Sequence, residues 1–311
     1  MLLSRVADNL YWGARYLERA EDTARLVRSF TEVIIDLPVG LTSSWEPLLA
    51  VAGSRAEFEA AHPAVREADV VRFLIADPQN GGSVVASVAG ARENLRTTRE
   101  VLPRDAWQTV NDLYLYTNSN AEAGVERRSR ARFLSRVVAD CQRLDGVMSA
   151  SMSRDEAYEM WRLGQAVERA DMTTRVVGVR AAALLALPAE RDDHDEVQWM
   201  GLLRSLSALQ MYQRATRGPI EGASAVRFLL LDQQFPRSVA SCVNRIRLAL
   251  ERLPQASHTL PGVDALDLLL HELAAADATD GEALDTAMDR VQAALAALND
   301  RVTGTFVRGA G

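Results

Sequence analysis

Apolar residues recur at steps of three and four along nearly the whole chain, and alternating runs bounded by turns, the mark of half-buried strands, are scarce. The pattern predicts helix after helix. In the first clear case Leu10, Ala14, Leu17, Ala20, Ala24, Val27 and Val33 form one stripe. It predicts a helix of more than about 30 residues that stops near DLPVG, where Pro38 and Gly40 break the period. Further helices are expected at WEPLLAVAG, AVREADVVRFLIAD, SVVASVAGARENLRTTREVL, RDAWQTVNDLYLYTNSNAEAG and RARFLSRVVADCQRLDGVMSASM. The second half continues in the same manner and ends in GEALDTAMDRVQAALAALNDRV.

Two segments resemble each other across the chain. VRFLIADPQNGGSVVASVAGAR, residues 71–92, aligns without gaps to VRFLLLDQQFPRSVASCVNRIR, residues 226–247, with ten of 22 positions identical. Trp45 and Trp199 each precede a pair of leucines, and ERAEDTARLVRS from Glu18 returns as ERADMTTRVVGV from Glu168. An internal duplication accounts for these matches. The expected fold is all-α, a helical bundle with pseudo-two-fold symmetry built from two homologous halves, 1–151 and 152–311, within one domain spanning 1–311.

The repeated charged phrase places Glu18, Glu21 and Arg25 on one helical face and Glu168, Asp171 and Arg175 on its counterpart, with Tyr11 and Trp161 upstream. Because these faces adjoin the apolar stripe, the charges are expected to be half-buried. One reading is structural: acid-before-base pairs four apart, extended into a network that registers the two halves. The other gathers Glu18, Glu21, Glu168 and Asp171 around a cavity as ligands for Mg²⁺ or as acid and base, with Arg19, Arg25, Arg169 and Arg175 free for phosphate or carboxylate. A di-iron site of the bundle type would add histidine, and His62, His194, His258 and His271 all lie outside the repeated phrases.

The second repeated unit carries Arg72, Phe73, Asp77 and Ser83, matched by Arg227, Phe228, Asp232 and Ser238. Both serines stand where a helix begins, so capping and catalysis are the competing roles. Arg72 and Asp77 are five apart, a poor spacing for an in-helix pair, which points to longer-range bonds. Beyond Ser83, Arg92, Glu93, Arg96 and Arg99 mark either a solvated face or one that binds an anion or peptide. Glu93 falls opposite Leu248 and Asn80 opposite Phe235, so a site built on them would be one-sided.

Composition narrows the chemistry. In 311 residues all 35 basic side chains are arginine, and there is no lysine. A Walker-type phosphate loop, a Schiff-base enzyme and the usual lysine grip on ATP are therefore excluded. The net charge of −7, without a basic stripe, argues against nucleic acid as a partner. No apolar run is long enough to span a membrane, and the start of the chain lacks the pattern of a secretory signal. Cys141 and Cys242 read as buried thiols of a reducing compartment, so the expected location is the cytoplasm.

Taken together, SRVADNLYWGARYLERAEDTAR, RFLIADPQNGGSVVASVAGARENLR and WRLGQAVERADMTTR resemble the bacterial alpha-E domain family over essentially the whole chain. Ala14 departs from the glycine expected in WGARY, whereas Gly164 keeps it in the second copy. The resemblance implies an all-helical protein associated with a circularly permuted ATP-grasp ligase and a transglutaminase-like peptidase. The favoured expectation is an accessory protein of an amide-ligase system, binding a partner or an anionic peptide-like ligand through the paired Glu/Arg helices. A carboxylate-based enzyme and a pure scaffold are the alternatives. No cofactor is expected beyond Mg²⁺ under the metal reading.

Overall fold

The structure, a computed structural model, describes residues 2–36, 44–185 and 193–306, with the side chains of 193–195 also outside the description. Pro38, Gly40 and the His194 side chain therefore lie outside the described residues. Every regular element among those residues is helical. The first part of the chain forms α1 (Ser4–Asp36), α2 (Glu46–Val51), α3 (Arg55–Ala61), α4 (Glu67–Ile75), α5 (Val84–Arg96), α6 (Arg104–Val125) and α7 (Arg127–Ser151). The second forms α8 (Glu156–Val176), continued by a π-helical turn (Val177–Ala181) into α9 (Ala182–Leu185), then α10 (Asp193–Ser205) and α11 (Leu209–Thr216). It closes with α12 (Gly222–Leu231), α13 (Val239–Glu251), α14 (Ala256–Ala275) and α15 (Gly281–Phe306).

Two long helices make the centre. α1 lies along α8 and also packs on α5, α7 and α10, while α8 packs on α13 and α15. The α1 stripe from Leu10 to Val33 is buried throughout, as its three-and-four spacing requires. Helix α8 is buried on nearly every side, including Glu159, Gln165, Glu168 and Arg169. A helix surrounded in this way must pair its polar groups, since an unpartnered buried charge costs several kcal/mol (about 3–5 by the effect of breaking buried pairs). One apolar cluster runs from Val6 to Val302 and joins both parts of the chain.

Local chemistry explains the helix boundaries. Asp155 caps α8 by accepting from the amides of Ala157 and Tyr158. Ser83 Oγ accepts from Ala86 N at 3.1 Å and donates to the Asp77 carbonyl at 2.6 Å. Ser238 Oγ accepts from Ser241 N at 3.1 Å and donates to the Asp232 carbonyl. Each serine thus ties its helix to the preceding turn. Helix α3, which the hydrophobic pattern passed over, buries only Phe58 within its own span.

Candidate functional site

Where α1 meets α8, the Glu-Arg dipeptides 18–19 and 168–169 face each other. Arg169 Nε donates to Glu18 Oε1 at 2.7 Å, and Arg19 Nε donates to Glu168 Oε1 at 2.6 Å. Both glutamates are about 2% exposed, more deeply buried than the expected half-burial. Two charge centres grow from these crossed pairs, one on each side of the helix contact.

The first centre is closed by Arg237, which sits just ahead of α13. Its Nη1 donates to Asp22 Oδ1 at 2.6 Å, and its Nη2 lies 2.8 Å from Glu18 Oε1 and 3.3 Å from Glu21 Oε1. Thr173 on α8 holds the Arg237 backbone by donating to its carbonyl at 2.9 Å. Arg25 completes the group, bonding Glu21 four residues earlier through Nε at 3.1 Å and donating from Nη1 to Ser207 Oγ. Neither Arg237 nor Ser207 stands near α1 in sequence. Spacing within the repeated phrase could not reveal them.

Burial would raise the Glu18 and Glu168 carboxyls, but the adjoining guanidiniums reverse this and hold both below their ordinary range. Asp22 behaves differently: burial outweighs Arg237, the nearby Glu18 and Glu21 add to the rise, and its carboxyl is pushed up to about 7. Its buried Oδ2 has no hydrogen-bond partner among the described residues. An acid raised in the folded state stabilises most below its unfolded value of 3.8, and that stabilisation is lost as pH rises toward 7. Glu18 and Glu168 act in the opposite sense: their stabilisation is present above the unfolded value of 4.5 and disappears as pH falls. Replacing Asp22→Asn is therefore expected to flatten the decline between roughly pH 4 and 7 and to raise stability at pH 8 by on the order of 2 kcal/mol. Urea unfolding across that range checks it. A variant that tracks the parent at every pH would show that Asp22 is ordinarily ionised.

The second centre is open. Glu168 Oε2 accepts from Arg15 Nε at 2.7 Å, while Arg15 Nη1 is anchored on Asn299 Oδ1 of α15 at 2.7 Å. Arg175 Nε donates to Asp171 Oδ2 at 3.0 Å. Thr23 on α1 donates to the Gly82 carbonyl at 3.3 Å, drawing the loop before α5 toward the helix contact. No side chain rises from Gly82 into the space beside Glu168, and a cavity of about 570 Å³ occupies the region. Arg19, Glu168, Asp171, Arg175, Asp77 and Glu57 supply its charged wall. Gly53 closes one end with φ 65°, and a β-carbon there would collide with Arg175 Nη1. Glycine adopts this φ at no steric cost and leaves room for the Arg175 tip.

The structure sorts the remaining candidates away from this cavity. Arg72 reaches Glu122 on the surface, and Arg227 donates to the carbonyls of Ala274 and Ala276. Asp232 accepts from the amides of Gln234 and Phe235 and shapes a turn. Arg92 bonds Asn111 and lies over the rings of Trp107 and Tyr114. Glu93 and Arg96 form an exposed pair three residues apart on α5. Of the four carboxylates considered as metal ligands, Glu18 and Glu21 belong to the closed centre and Glu168 and Asp171 to the open one. Each carboxylate is held by arginine. Among the described residues no three His, Cys, Asp or Glu side chains gather to hold a metal.

Residues 2–307 match the family model Alpha-E, described as a predicted alpha-helical domain with a conserved ER motif. The chain belongs to the Alpha-E family. In this Alpha-E chain the Glu-Arg dipeptides at 18–19 and 168–169 are the ones that cross between the two central helices. Uncharacterised protein Mb2597 of Mycobacterium bovis and uncharacterised protein Rv2567 of Mycobacterium tuberculosis are each 27% identical to it over 282 residues. The match covers 81% of the Alpha-E chain and 30% of each relative, so the chain spans less than a third of their length. No solved structure matches it. Among the described residues no helix is long and apolar enough to cross a membrane.

Proposed function

We propose that this protein is the ligand-holding accessory component of an ATP-grasp amide-ligase system, acting in the cytoplasm on a peptide-like ligand. The cavity at the open centre carries this reading. Its volume, about 570 Å³, lies within the usual range for small-molecule sites, and its wall converges two guanidiniums and several carboxylates on one space. The absence of lysine supports a reading in which a ligase supplies ATP activation, and a transglutaminase-like peptidase would act on the same class of amide. Buried, unpaired Cys141 and Cys242 support a reducing compartment.

The two-centre architecture descends, in this reading, from duplication of one ancestral half, with repeats at 1–151 and 152–311. Several independent local details support it. Thr23 and Thr173 hold the carbonyls of Gly82 and Arg237, Ser83 and Ser238 make the same pair of bonds, and Gly53 and Ser207 share left-handed φ values of 65° and 54°.

Affinity capture of the tagged protein from its native host is expected to recover an ATP-grasp ligase, and the purified pair to associate and to change the rate of ligation. Repeated capture without a ligase, together with a purified pair that neither associates nor alters ligation, would reject the assignment.

A further inference from the structure

The two centres correspond at most positions, with Arg15 opposite Gln165 as an exception, and they differ at the positions that decide whether the space is filled. Arg237 of the closed centre corresponds to Gly82, Ser207 to Gly53, and Asp22 to Met172. In the closed centre the Arg237 guanidinium fills the gap, Ser207 Oγ receives Arg25 Nη1, and Asp22 balances Arg237. In the open centre all three functions are missing together. Loss of bulk alone explains a hollow; loss of charge and of an acceptor specifies what the hollow should receive.

Charge comes first. Arg25, Arg169 and Arg237 gather with Glu18, Glu21 and Asp22, and Arg169 also lies 3.9 Å from Asp145. In the open centre Arg15, Arg19 and Arg175 pair with Glu168 and Asp171; Arg15 stands opposite Gln165 and so has no equivalent in the closed centre, while Gly82 and Met172 replace the Arg237 and Asp22 pair. The five paired groups of the open centre carry one more guanidinium than carboxylate, and Asp77 and Glu57 add two acids on the cavity wall. Hydrogen bonding agrees: among the described residues Arg19 and Arg175 each use only Nε, whereas both terminal nitrogens of Arg25 have acceptors. The Arg175 tip lies against Gly53, where its counterpart meets the Ser207 hydroxyl.

We infer that the open centre binds the free carboxylate of a small zwitterion, an amino acid or short peptide, on Arg19 and Arg175, with its ammonium group toward Asp77 and Glu57. A carboxylate brings two planar oxygens suited to the terminal nitrogens of Arg19 and Arg175, which have no acceptor among the described residues. Asp77, half-buried, and Glu57, exposed, lie on the same cavity wall and disfavour a dianion such as a phosphate monoester, while favouring a ligand with its own positive end. Gly82 is the residue whose replacement distinguishes a receptive centre from a closed one.

This inference rests on the ligand-holding reading above, but its test needs no ligase. Saturation-transfer NMR and calorimetry on the full chain would use L-alanyl-L-alanine, its C-terminal amide, its N-acetyl derivative and inorganic phosphate as probes. The free dipeptide is expected to bind, the amide to bind at least tenfold more weakly, the acetylated form several-fold more weakly, and phosphate more weakly than the dipeptide. Gly82→Arg should abolish binding by placing an arginine where Arg237 stands in the closed centre, with a lower Tm because Met172 offers it no counterpart to Asp22. Should Gly82→Arg fail to fold, Arg175→Gln reads the same loss. Equal binding of acid and amide, stronger binding of phosphate, binding that survives Arg175→Gln, or no binding of the dipeptide would each overturn the inference. Dipeptide binding without ligase association rejects only the accessory role; association without dipeptide binding rejects only this ligand class.

Discussion

Arg237→Ala is expected to cost about 3–5 kcal/mol at pH 8, seen as a fall in Tm of roughly 10 °C and a matching drop in urea midpoint. The variant removes one guanidinium and leaves Glu18, Glu21 and Asp22 facing one another at 3% exposure or less. Arg169 and Arg25 remain as partners of Glu18 and Glu21, but Asp22 loses the only cation with which it forms an ion pair among the described residues. Three buried carboxylates with two cations retain protons more readily, so their folded-state pKa values rise. A raised acid stabilises the fold at low pH and loses that contribution as pH increases, so the deficit should shrink from pH 8 to pH 5. Adding Asp22→Asn to Arg237→Ala should recover part of the loss, a coupling that a double-mutant cycle measures directly. A deficit below about 1 kcal/mol that ignores pH would mean that water reaches the centre and solvates the acids.

The same residues show what sequence reading could reach. The α1 stripe was legible because seven apolar positions at helical spacing leave one solution for which face turns inward. Helix α3 was not, since a short segment with Phe58 as its sole buried side chain carries no period. For the charged phrase, spacing identified the face holding Glu18, Glu21 and Arg25 but could not identify the opposing surface. Reading half-burial from that face underestimated the enclosure, because α8, α13 and the loop before α13 close over it. Arg237 lies 215 positions from its partner Asp22, beyond any local rule. The one signal that could have exposed it was the gapless match of residues 71–92 to 226–247, in which an arginine stands opposite Gly82 in an otherwise similar turn. Arg15 had no such signal, since its counterpart is Gln165.

The departure from glycine at Ala14 leads to a second large effect, and its sign is informative. Gly164→Ala is expected to destabilise by about 2–4 kcal/mol, although alanine favours a helix over glycine by about 1 kcal/mol. A β-carbon at position 164 would run into the backbone oxygen of Tyr11, with the Tyr11 carbonyl carbon at 3.0 Å and Ala14 Cβ at 3.2 Å. A main-chain group cannot rotate aside, so α1 and α8 must separate. Separation would lengthen the Glu18 to Arg169 and Arg19 to Glu168 bonds together, linking helix packing to both charge centres. Ala14→Gly relieves only the 3.2 Å contact, and most of the loss should persist in the double variant. Gly146 on α7 provides the internal contrast, because a β-carbon there meets nothing within 4 Å. Gly146→Ala should accordingly stabilise by about 0.5–1 kcal/mol. If thermal unfolding gave Gly164→Ala and Gly146→Ala the same stabilising sign, the close approach of the central helices would be wrong, and with it the juxtaposition of the two Glu-Arg dipeptides.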